Sequence, residues 1–256
     1  MNLKLDITLA KDYKSNSQIG RVITEAWVRK NSYCPSCGES HLDRFANNSP
    51  VADFLCHSCK SEFELKSNIG KVGVRILDGA YRTMIERINS ENNPHFFFLS
   101  YAKASLDVNN FLVIPKHYFI DDIIEKRKPL AANARRAGWV GCNIILTSIP
   151  TFGKIYLVKD GKVESKKNVL ETWSKTSFLR KQKGESRGWT IEMMKILDFI
   201  PSTEFKLQDV YYFEKKLKDR FPDNNFVKDK IRQQLQVLRD KGLIEFKGNG
   251  LYRKIR

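Results

Sequence analysis

Three side chains that could act together on a phosphodiester lie within a short stretch of the sequence: Asp53, Glu64 and Lys66. A carboxylate followed by Glu-x-Lys is the residue pattern of a metal-dependent centre that cleaves phosphodiesters. On a strand, Glu64 and Lys66 point to the same face and Leu65 points to the other. Asp53 and Glu64, with the Leu65 carbonyl, offer the hard oxygen ligands that Mg²⁺ prefers. The pattern therefore predicts a nuclease site.

Each residue of this trio has a predicted catalytic role. Mg²⁺ held by Asp53 and Glu64 would polarise the phosphate and lower the pKa of an attacking water. Lys66 would orient or deprotonate that water and help to neutralise the developing charge. A bare Glu-x-Lys also occurs on solvent-exposed strands, but here an Asp precedes it and apolar residues flank both acids. Glu25, on a predicted helix, is either a further metal or water ligand or an exposed side chain.

Four of the five cysteines form two Cys-x-x-Cys pairs, Cys34 with Cys37 and Cys56 with Cys59. Their spacing is typical of a structural Zn²⁺ bound by four thiolates. Free thiols or an iron–sulfur cluster are the alternatives. We expect the zinc to tie the tip of the hairpin that carries the trio to the segment after the first helix. Cys142 is unpaired and is expected to be a small buried hydrophobe.

Hydrophobic periodicity predicts the elements that position the trio. Residues 51–55 and 62–66 form two strands of a hairpin with the second cysteine pair near its tip. Further elements are predicted as helices over 19–30 and 77–90 and as strands over 96–101, 111–114, 144–146 and 155–158. Strands mixed with helices indicate an α/β or α+β core with a mixed sheet.

Residues 180–188 are polar and basic and contain two glycines, so we predict a linker there. The predicted domains are 1–182, a zinc-containing nuclease domain, and 183–256, a small DNA-binding domain.

The second domain has the pattern of a winged helix-turn-helix. Three helices are predicted over 190–200, with Thr190 as N-cap, over 207–221, and after Asn225. Gly242 ends the third helix, and a strand, a tight turn and a second strand follow. We predict that the third helix enters the major groove of double-stranded DNA. The candidate DNA contacts are Lys228, Lys230, Arg232, Gln233 and Gln236 on this helix and Lys247 and Asn249 on the wing. The alternative for many of them is a solvated charge that touches no base.

The composition agrees with a polyanionic partner. Lys plus Arg number 45 against 29 for Asp plus Glu, a net charge of +16. Such an excess suggests nucleic acid, although a merely basic surface is the alternative. No run of about 18 apolar residues suggests a membrane helix, and the first residues lack the apolar segment of a signal peptide. We expect a cytoplasmic monomer whose thiols stay reduced.

The residues of the trio resemble the PD-(D/E)xK nucleases, with Pro50 displaced from Asp53 by two residues. Nearly the whole chain resembles the DpnI family of methyl-directed restriction endonucleases. The matching stretches are Tyr13 to Gln18, the four paired cysteines, Asp53 with Glu64-Leu65-Lys66, Arg135 to Trp139, Lys230 to Gln236 and Leu238 to Asp240. Segments 68–77, 103–108 and 162–176 do not carry such matches.

The resemblance implies a substrate that no spacing reveals. The family cleaves GATC when its adenines carry an N6-methyl group, and both of its domains read the site. Arg135 and Arg136, which suit phosphates, form a second candidate patch with Trp139, and the resemblance implies that Trp139 takes part in methyladenine recognition. From the residue alone, Trp139 would be taken for core packing.

The first hypothesis is therefore a Mg²⁺-dependent type II restriction endonuclease with a structural Zn²⁺. The alternatives are a non-catalytic, zinc-stabilised winged-helix DNA-binding regulator and a methylated-DNA binder whose nuclease motif has degenerated.

Overall fold

The computed structural model divides the chain into two compact units. The residues that it describes are 1–45, 52–90, 93–182 and 184–255. The first unit comprises residues 1–149 and 153–174, and the second comprises 150–152 and 175–256. The main part of the second unit thus begins at Lys175, before the domain boundary predicted between residues 182 and 183. That domain boundary remains a prediction. Every helix among the described residues is too short or too polar to cross a lipid bilayer.

The first unit combines α-helices with β-sheets. Its α-helices are α1 (Asn16–Asn31), α2 (Tyr81–Ile88) and α3 (Lys166–Thr176), which runs into the second unit. Its strands are β1 (Asp43–Arg44), β2 (Phe54–Leu55), β3 (Glu62–Ile69), β4 (Arg75–Ala80), β5 (His95–Tyr101), β6 (Val108–Ile114), β7 (Ile124–Lys126), β8 (Gly141–Ile145), β9 (Ile155–Lys159) and β10 (Lys162–Val163). Short 3₁₀ turns occupy Ile7–Ala10, Lys116–Tyr118, Asp121–Ile123 and Leu146–Ser148. Two others, Thr151–Gly153 and Ser177–Lys181, lie partly or wholly in the second unit.

The described residues form a seven-stranded mixed sheet in the order β1-β2-β3-β5-β6-β9-β10. Strands β3 and β5 pair in parallel, and the other neighbours pair antiparallel. Parallel strands need a long crossover, and here β4 and α2 lie in that connection. The predicted α/β class with a mixed sheet is confirmed.

The core lies against the central strands of this sheet. All seven residues of β5 are buried, as expected for a strand covered on both faces. Helix α1 contributes Trp27, which meets the ring of Phe111 edge-on at 5.4 Å between centroids. On the same layer Phe63 stacks on Phe97 at 4.5 Å. The Phe63–Phe97 contact packs β3, the strand that carries the nuclease motif, against the buried strand β5.

A second sheet of the first unit shows that one predicted element was wrong. Its order is β4-β8-β7. The helix predicted over 77–90 begins only at Tyr81, because Arg75–Ala80 pairs with β8 as a strand. Leu77, the first residue of that predicted helix, is 67% exposed. The Asp78-Gly79 pair disfavours a helix, and the apolar spacing around it misled the prediction.

The other predicted elements differ mainly at their ends. The 51–55 strand is reduced to Phe54–Leu55, and Pro50 and Val51 lie outside the described residues. Its partner β3 runs on to Ile69 because it gains β5 as a neighbour. The helix predicted over 19–30 spans Asn16–Asn31.

The second unit contains helices followed by a β-hairpin. Its elements are α4 (Gly184–Phe199), β11 (Glu204–Lys206), α5 (Leu207–Tyr211), α6 (Glu214–Arg220), α7 (Val227–Asp240), β12 (Ile244–Gly248) and β13 (Leu251–Lys254). The sheet order is β11-β13-β12. Asn249 and Gly250, at φ 49° and 72°, make the tight turn of the wing. The predicted winged helix-turn-helix is present.

Three details of this unit were predicted wrongly. Residues 184–188, placed in a linker, form the first turns of α4. Thr190 is not the N-cap but a buried residue of α4 whose hydroxyl donates to Gln234 Oε1 at 2.7 Å. The helix predicted over 207–221 is two helices, α5 and α6.

Candidate active site

The β2–β3 hairpin brings Asp53 alongside the Glu-x-Lys motif. The backbone N–H of Leu65 donates to Asp53 Oδ2 at 2.7 Å, and the Asp53 N–H donates to the Phe63 carbonyl at 2.9 Å. The side chain of Leu65 packs against the hydrophobic core. The aspartate therefore lies beside the middle of the motif, and the Leu65 backbone lies against it.

Glu64 and Lys66 meet on the face of β3 opposite Leu65. The Lys66 ammonium lies 2.6 Å from Glu64 Oε1. Burial raises the pKa of Asp53; the hydrogen bond from Leu65 lowers it, and the nearby Glu64 carboxylate raises it again. The structure thus brings the three predicted residues together at one place.

Two further charged residues complete this cluster, and neither was predicted from the sequence. Asp78 Oδ1, on β4, lies 2.6 Å from the Lys66 ammonium. Arg87 Nη2, on α2, lies 2.9 Å from Glu64 Oε2. A signal for Asp78 existed, because an Asp-Gly pair disfavours a helix and a Gly within a strand suggests a bulge. No local signal marks Arg87, which reaches the site only through the fold.

The carboxylates hold Lys66 as an ammonium ion. Burial alone lowers the pKa of a lysine, but the Glu64 and Asp78 carboxylates outweigh it and raise the pKa of Lys66 above its ordinary value. Lys66 is therefore a positive charge at neutral pH, suited to orienting a water or neutralising an oxyanion.

Glu25, predicted to be either a metal or water ligand or an exposed side chain, is buried. Its carboxylate lies 2.8 Å from Arg44 Nη2 and 3.5 Å from Arg21 Nη1. Burial raises the pKa of Glu25; the two arginines lower it, and Asp53 raises it. Glu25 is thus a neighbour of Asp53 that two guanidinium groups neutralise.

A cleft of about 410 Å³ opens beside Lys66. Helix α1, strand β3 and strand β4 line it, and Arg21 and Arg75 join Lys66 among the lining residues. A larger groove of about 610 Å³ shares Glu25 with this cleft and is also lined by Arg44, but none of the predicted trio lines it. We associate the smaller cleft with the chemistry because Lys66 lines it, and its three cations suit a phosphate.

The donor set at this site fits a hard divalent cation. Glu64 Oε1 accepts from Lys66 and Glu64 Oε2 accepts from Arg87, which uses one lone pair on each oxygen. A carboxylate has about four lone-pair positions, so the others are open to a metal ion. Among the described residues, no three carboxylate or imidazole ligand atoms at this site lie close enough to one another to hold a metal ion by themselves. A bound Mg²⁺ would therefore use Asp53, Glu64, a backbone oxygen such as that of Leu65, and water.

The four paired cysteines converge as predicted. All their sulfur atoms lie within 4.8 Å of one another. The sulfurs of Cys34 and Cys59 are 3.6 Å apart, as are those of Cys37 and Cys56. A tetrahedral zinc with Zn–S bonds of about 2.3 Å places its sulfurs about 3.8 Å apart, so the geometry fits this metal.

The cysteine cluster holds the hairpin that carries Asp53. Cys34 and Cys37 follow α1, and Cys56 and Cys59 occupy the turn between β2 and β3. Burial alone raises the pKa of Cys59, but hydrogen bonding to Ser61 and to the neighbouring thiols lowers it to about 6. Cys142 is buried elsewhere, paired by register with Asp78, and takes no part in the cluster.

Arg135, Arg136 and Trp139 lie in the loop between β7 and β8. Backbone hydrogen bonds close this loop, including Leu130 N–H to the Trp139 carbonyl at 2.9 Å. Both arginines are exposed, and the Arg136 guanidinium lies 4.5 Å from the centre of the half-buried Trp139 ring. Trp139 therefore lies outside the buried core, on a loop held by the sheet that carries Asp78.

Helix α7 presents most of its predicted contacts outward. Val227, Ile231, Leu235 and Leu238 are buried. The residues predicted to contact DNA lie on the opposite side, with Lys228, Arg232, Gln233 and Gln236 exposed and Lys230 half-buried.

Two of these side chains already have ion-pair partners. Lys228 lies 3.4 Å from Glu214, and Arg232 pairs with Asp229. On the wing, Lys247 and Asn249 are exposed, and Lys247 lies 3.4 Å from Glu245. These pairs are on the surface and hence weak, so a phosphate can displace them.

Comparison with known families agrees with this architecture. A family model described as DpnI, the Dam-replacing family, matches residues 1–182. A second, described as DpnI_C, the Dam-replacing HTH domain, matches residues 185–254. Together they cover almost the whole chain, including the trio, the cysteine cluster and α7. The chain therefore belongs to the DpnI family of restriction endonucleases and carries the DNA-binding helix-turn-helix domain of that family.

Proposed function

We propose that this protein is a Mg²⁺-dependent type II restriction endonuclease that hydrolyses double-stranded DNA at GATC sites containing N6-methyladenine. The convergence of Asp53, Glu64 and Lys66 beside a cationic cleft is the observation that carries the proposal. Membership of the DpnI family supports the substrate. We further propose that residues 1–182 act as the nuclease domain and 183–256 as the reading domain of a monomer.

The roles of the residues follow from their contacts. Bound Mg²⁺ supplies a Lewis acid and a water of lowered pKa. Asp53 and Glu64, with the Leu65 carbonyl, would hold it. The Lys66 ammonium orients the attacking water and stabilises negative charge as it develops on the phosphate. The four cysteines would hold Zn²⁺, which would keep Asp53 in register with Glu64.

Recognition is assigned to two surfaces. Arg135 and Arg136 contact phosphates, and Trp139 offers an apolar face to the methylated base. In the second unit α7 lies in the major groove, where Arg pairs with guanine and Gln with adenine. The proposed contacts there are Lys228, Lys230, Arg232, Gln233, Gln236, Lys247 and Asn249.

Plasmid cleavage tests the proposal directly. The protein is incubated with Mg²⁺ and plasmid prepared from hosts with and without adenine methylation at GATC, and the ends of the fragments are mapped. We expect cutting at GATC in methylated plasmid only. Cutting of both plasmids would reject methyl dependence. Binding without cutting under any divalent metal would favour the regulator instead.

The salt dependence of binding gives a second prediction. Because phosphate contacts release counterions, about six of them should weaken DNA binding roughly 10³-fold between about 50 and 200 mM salt. Lys247→Ala should reduce the slope by about one. Fluorescence anisotropy with labelled duplex measures both. A flat salt response would contradict the assignment of the basic surface to DNA.

Lys162→Ala is the matched control for this experiment. Lys162 is exposed on β10, four strands away from β3, or about 19 Å at the usual strand spacing. We expect this variant to keep the slope of the wild-type protein.

A further inference from the structure

Asp78 is directed at the site by an irregularity in its strand. Along β4 and β8, Asp78 pairs with Cys142 and Ala80 pairs with Gly141, so Gly79 is one extra residue in β4. Such bulges bend a strand and redirect a side chain. The Gly79 N–H also donates to Asp78 Oδ1 at 2.7 Å. The bulge and this hydrogen bond hold the carboxylate in one orientation.

The contact of Asp78 with Lys66 is partly buried and short. The side chain of Asp78 is 8% exposed and that of Lys66 is 22% exposed. Glu64 and Asp78 both lie 2.6 Å from the Lys66 ammonium. Glu64 belongs to the large sheet and Asp78 to the small one. The ammonium therefore sits at a point defined by two sheets.

Glu64 is held in the same way from its other oxygen. Arg87 Nη2 reaches Oε2, while Lys66 reaches Oε1. Asp78, Lys66, Glu64 and Arg87 thus form an ion-pair chain, in which the two motif residues are the inner members. The outer members come from β4 and α2, which form the crossover between β3 and β5.

We infer that Asp78 is a positioning residue for Lys66 and that Arg87 is a positioning residue for Glu64. The inference rests on the proposed nuclease function and adds to it two residues outside the Glu-x-Lys motif. Lysine has a long, flexible side chain, so a single carboxylate does not define the place of its ammonium. If the negative charge at position 78 is removed, the remaining carboxylate partner, Glu64, draws the Lys66 ammonium towards the oxygens that would bind Mg²⁺.

Asp78→Asn tests the role of Asp78, because asparagine keeps the shape and can still accept the Gly79 N–H. We expect kcat to fall about 10- to 100-fold, the range seen when supporting residues of metal sites are changed. We expect the KM for DNA to change little and the Mg²⁺ concentration at half-maximal rate to rise. Asp78→Glu should recover part of the lost rate.

A readout without catalysis uses acylation of lysines in the zinc-loaded protein without Mg²⁺, followed by mass spectrometry. In Asp78→Asn the released Lys66 amine should react several-fold faster, relative to Lys162 in the same sample. Asp107→Asn is the matched control, since it breaks an Asp–Lys pair with Lys4 at the surface of the same unit. It should change neither the rate nor the reactivity of Lys66.

Arg87 is tested in parallel. Arg87→Gln should lower kcat and raise the Mg²⁺ requirement, and Arg87→Lys should recover part of the rate. Glu86→Gln, at an exposed neighbour on α2 that pairs with Arg82, is the control. Thermal denaturation identifies variants that do not fold. Where a neutral variant does not fold, kcat and the Mg²⁺ requirement are compared in the charge-preserving variants Asp78→Glu and Arg87→Lys instead.

The outcomes separate the inference from the proposed function. Wild-type rate, unchanged Mg²⁺ requirement and unchanged Lys66 reactivity in folded Asp78→Asn would overturn the role of Asp78, while cleavage by wild type would stand. A wild-type protein that cuts no DNA with any divalent metal would reject the nuclease itself. In that case increased Lys66 reactivity in Asp78→Asn would still support the positioning contact.

Discussion

Lys66→Ala should reduce the rate of DNA cleavage by about 10²- to 10³-fold, the usual cost of removing a charge that stabilises a transition state. Lys66 lines the cleft and lies 2.6 Å from Glu64, so the substitution removes the positive charge next to the proposed metal ligands. Affinity for DNA should stay close to the wild-type value, because one residue among many cations is lost. Single-turnover cleavage and anisotropy measure the two quantities.

The control for Lys66→Ala is Lys162→Ala, which removes a lysine from the far edge of the same sheet. It should cut at the wild-type rate. Because Lys66→Ala leaves the Asp78 carboxylate without its ion pair, thermal denaturation must show that the variant is folded. A folded Lys66→Ala protein that cuts at the wild-type rate would exclude Lys66 from the chemistry.

Loss of zinc should unfold the part of the first unit that holds Asp53. Structural zinc sites contribute apparent binding free energies of about 10–16 kcal/mol near neutral pH, more than the stability of most domains. Cys34→Ser or Cys56→Ser should therefore abolish stoichiometric zinc and the cooperative thermal transition of this unit. Withholding Mg²⁺ should leave the protein folded but inactive.

Cys142→Ala separates a zinc effect from the loss of a buried thiol. Cys142 is fully buried but lies outside the cluster. Its substitution should cost only modest stability and leave the zinc content unchanged, as measured by metal analysis and thermal denaturation. If Cys34→Ser retained both its zinc and its thermal transition, the assignment of the four thiolates would be wrong.

The sequence predicted the parts of the site that are local. Asp53 and Glu64 lie on one hairpin, and strand periodicity alone puts Glu64 and Lys66 on one face. Cysteine spacing likewise indicated a four-thiolate cluster. These predictions needed no knowledge of how distant elements pack.

The parts of the site that depend on packing were missed. Asp78 was placed on a helix because apolar residues around it recur at helical spacing, although its strand pairs with β8. Strand pairing is decided by the partner, and a single sequence does not show the partner. Arg87 was predicted to be helical, but nothing in its neighbours indicates that it faces Glu64. The same reason explains Thr190, which is buried because it meets Gln234 from a different helix.

The fully buried central strand has a consequence for how the protein is handled. Strand β5 reads His95-Phe-Phe-Phe-Leu-Ser-Tyr101 and carries no acidic residue, lysine or arginine. Uncharged, aromatic segments of this kind self-associate when they are unprotected. Strand β5 is covered only after β3 and β6 pair with it, and its pairing with β3 must wait for the whole β4–α2 crossover. Slow synthesis at low temperature, with zinc supplied, should therefore raise the yield of dispersed protein over that of inclusion bodies.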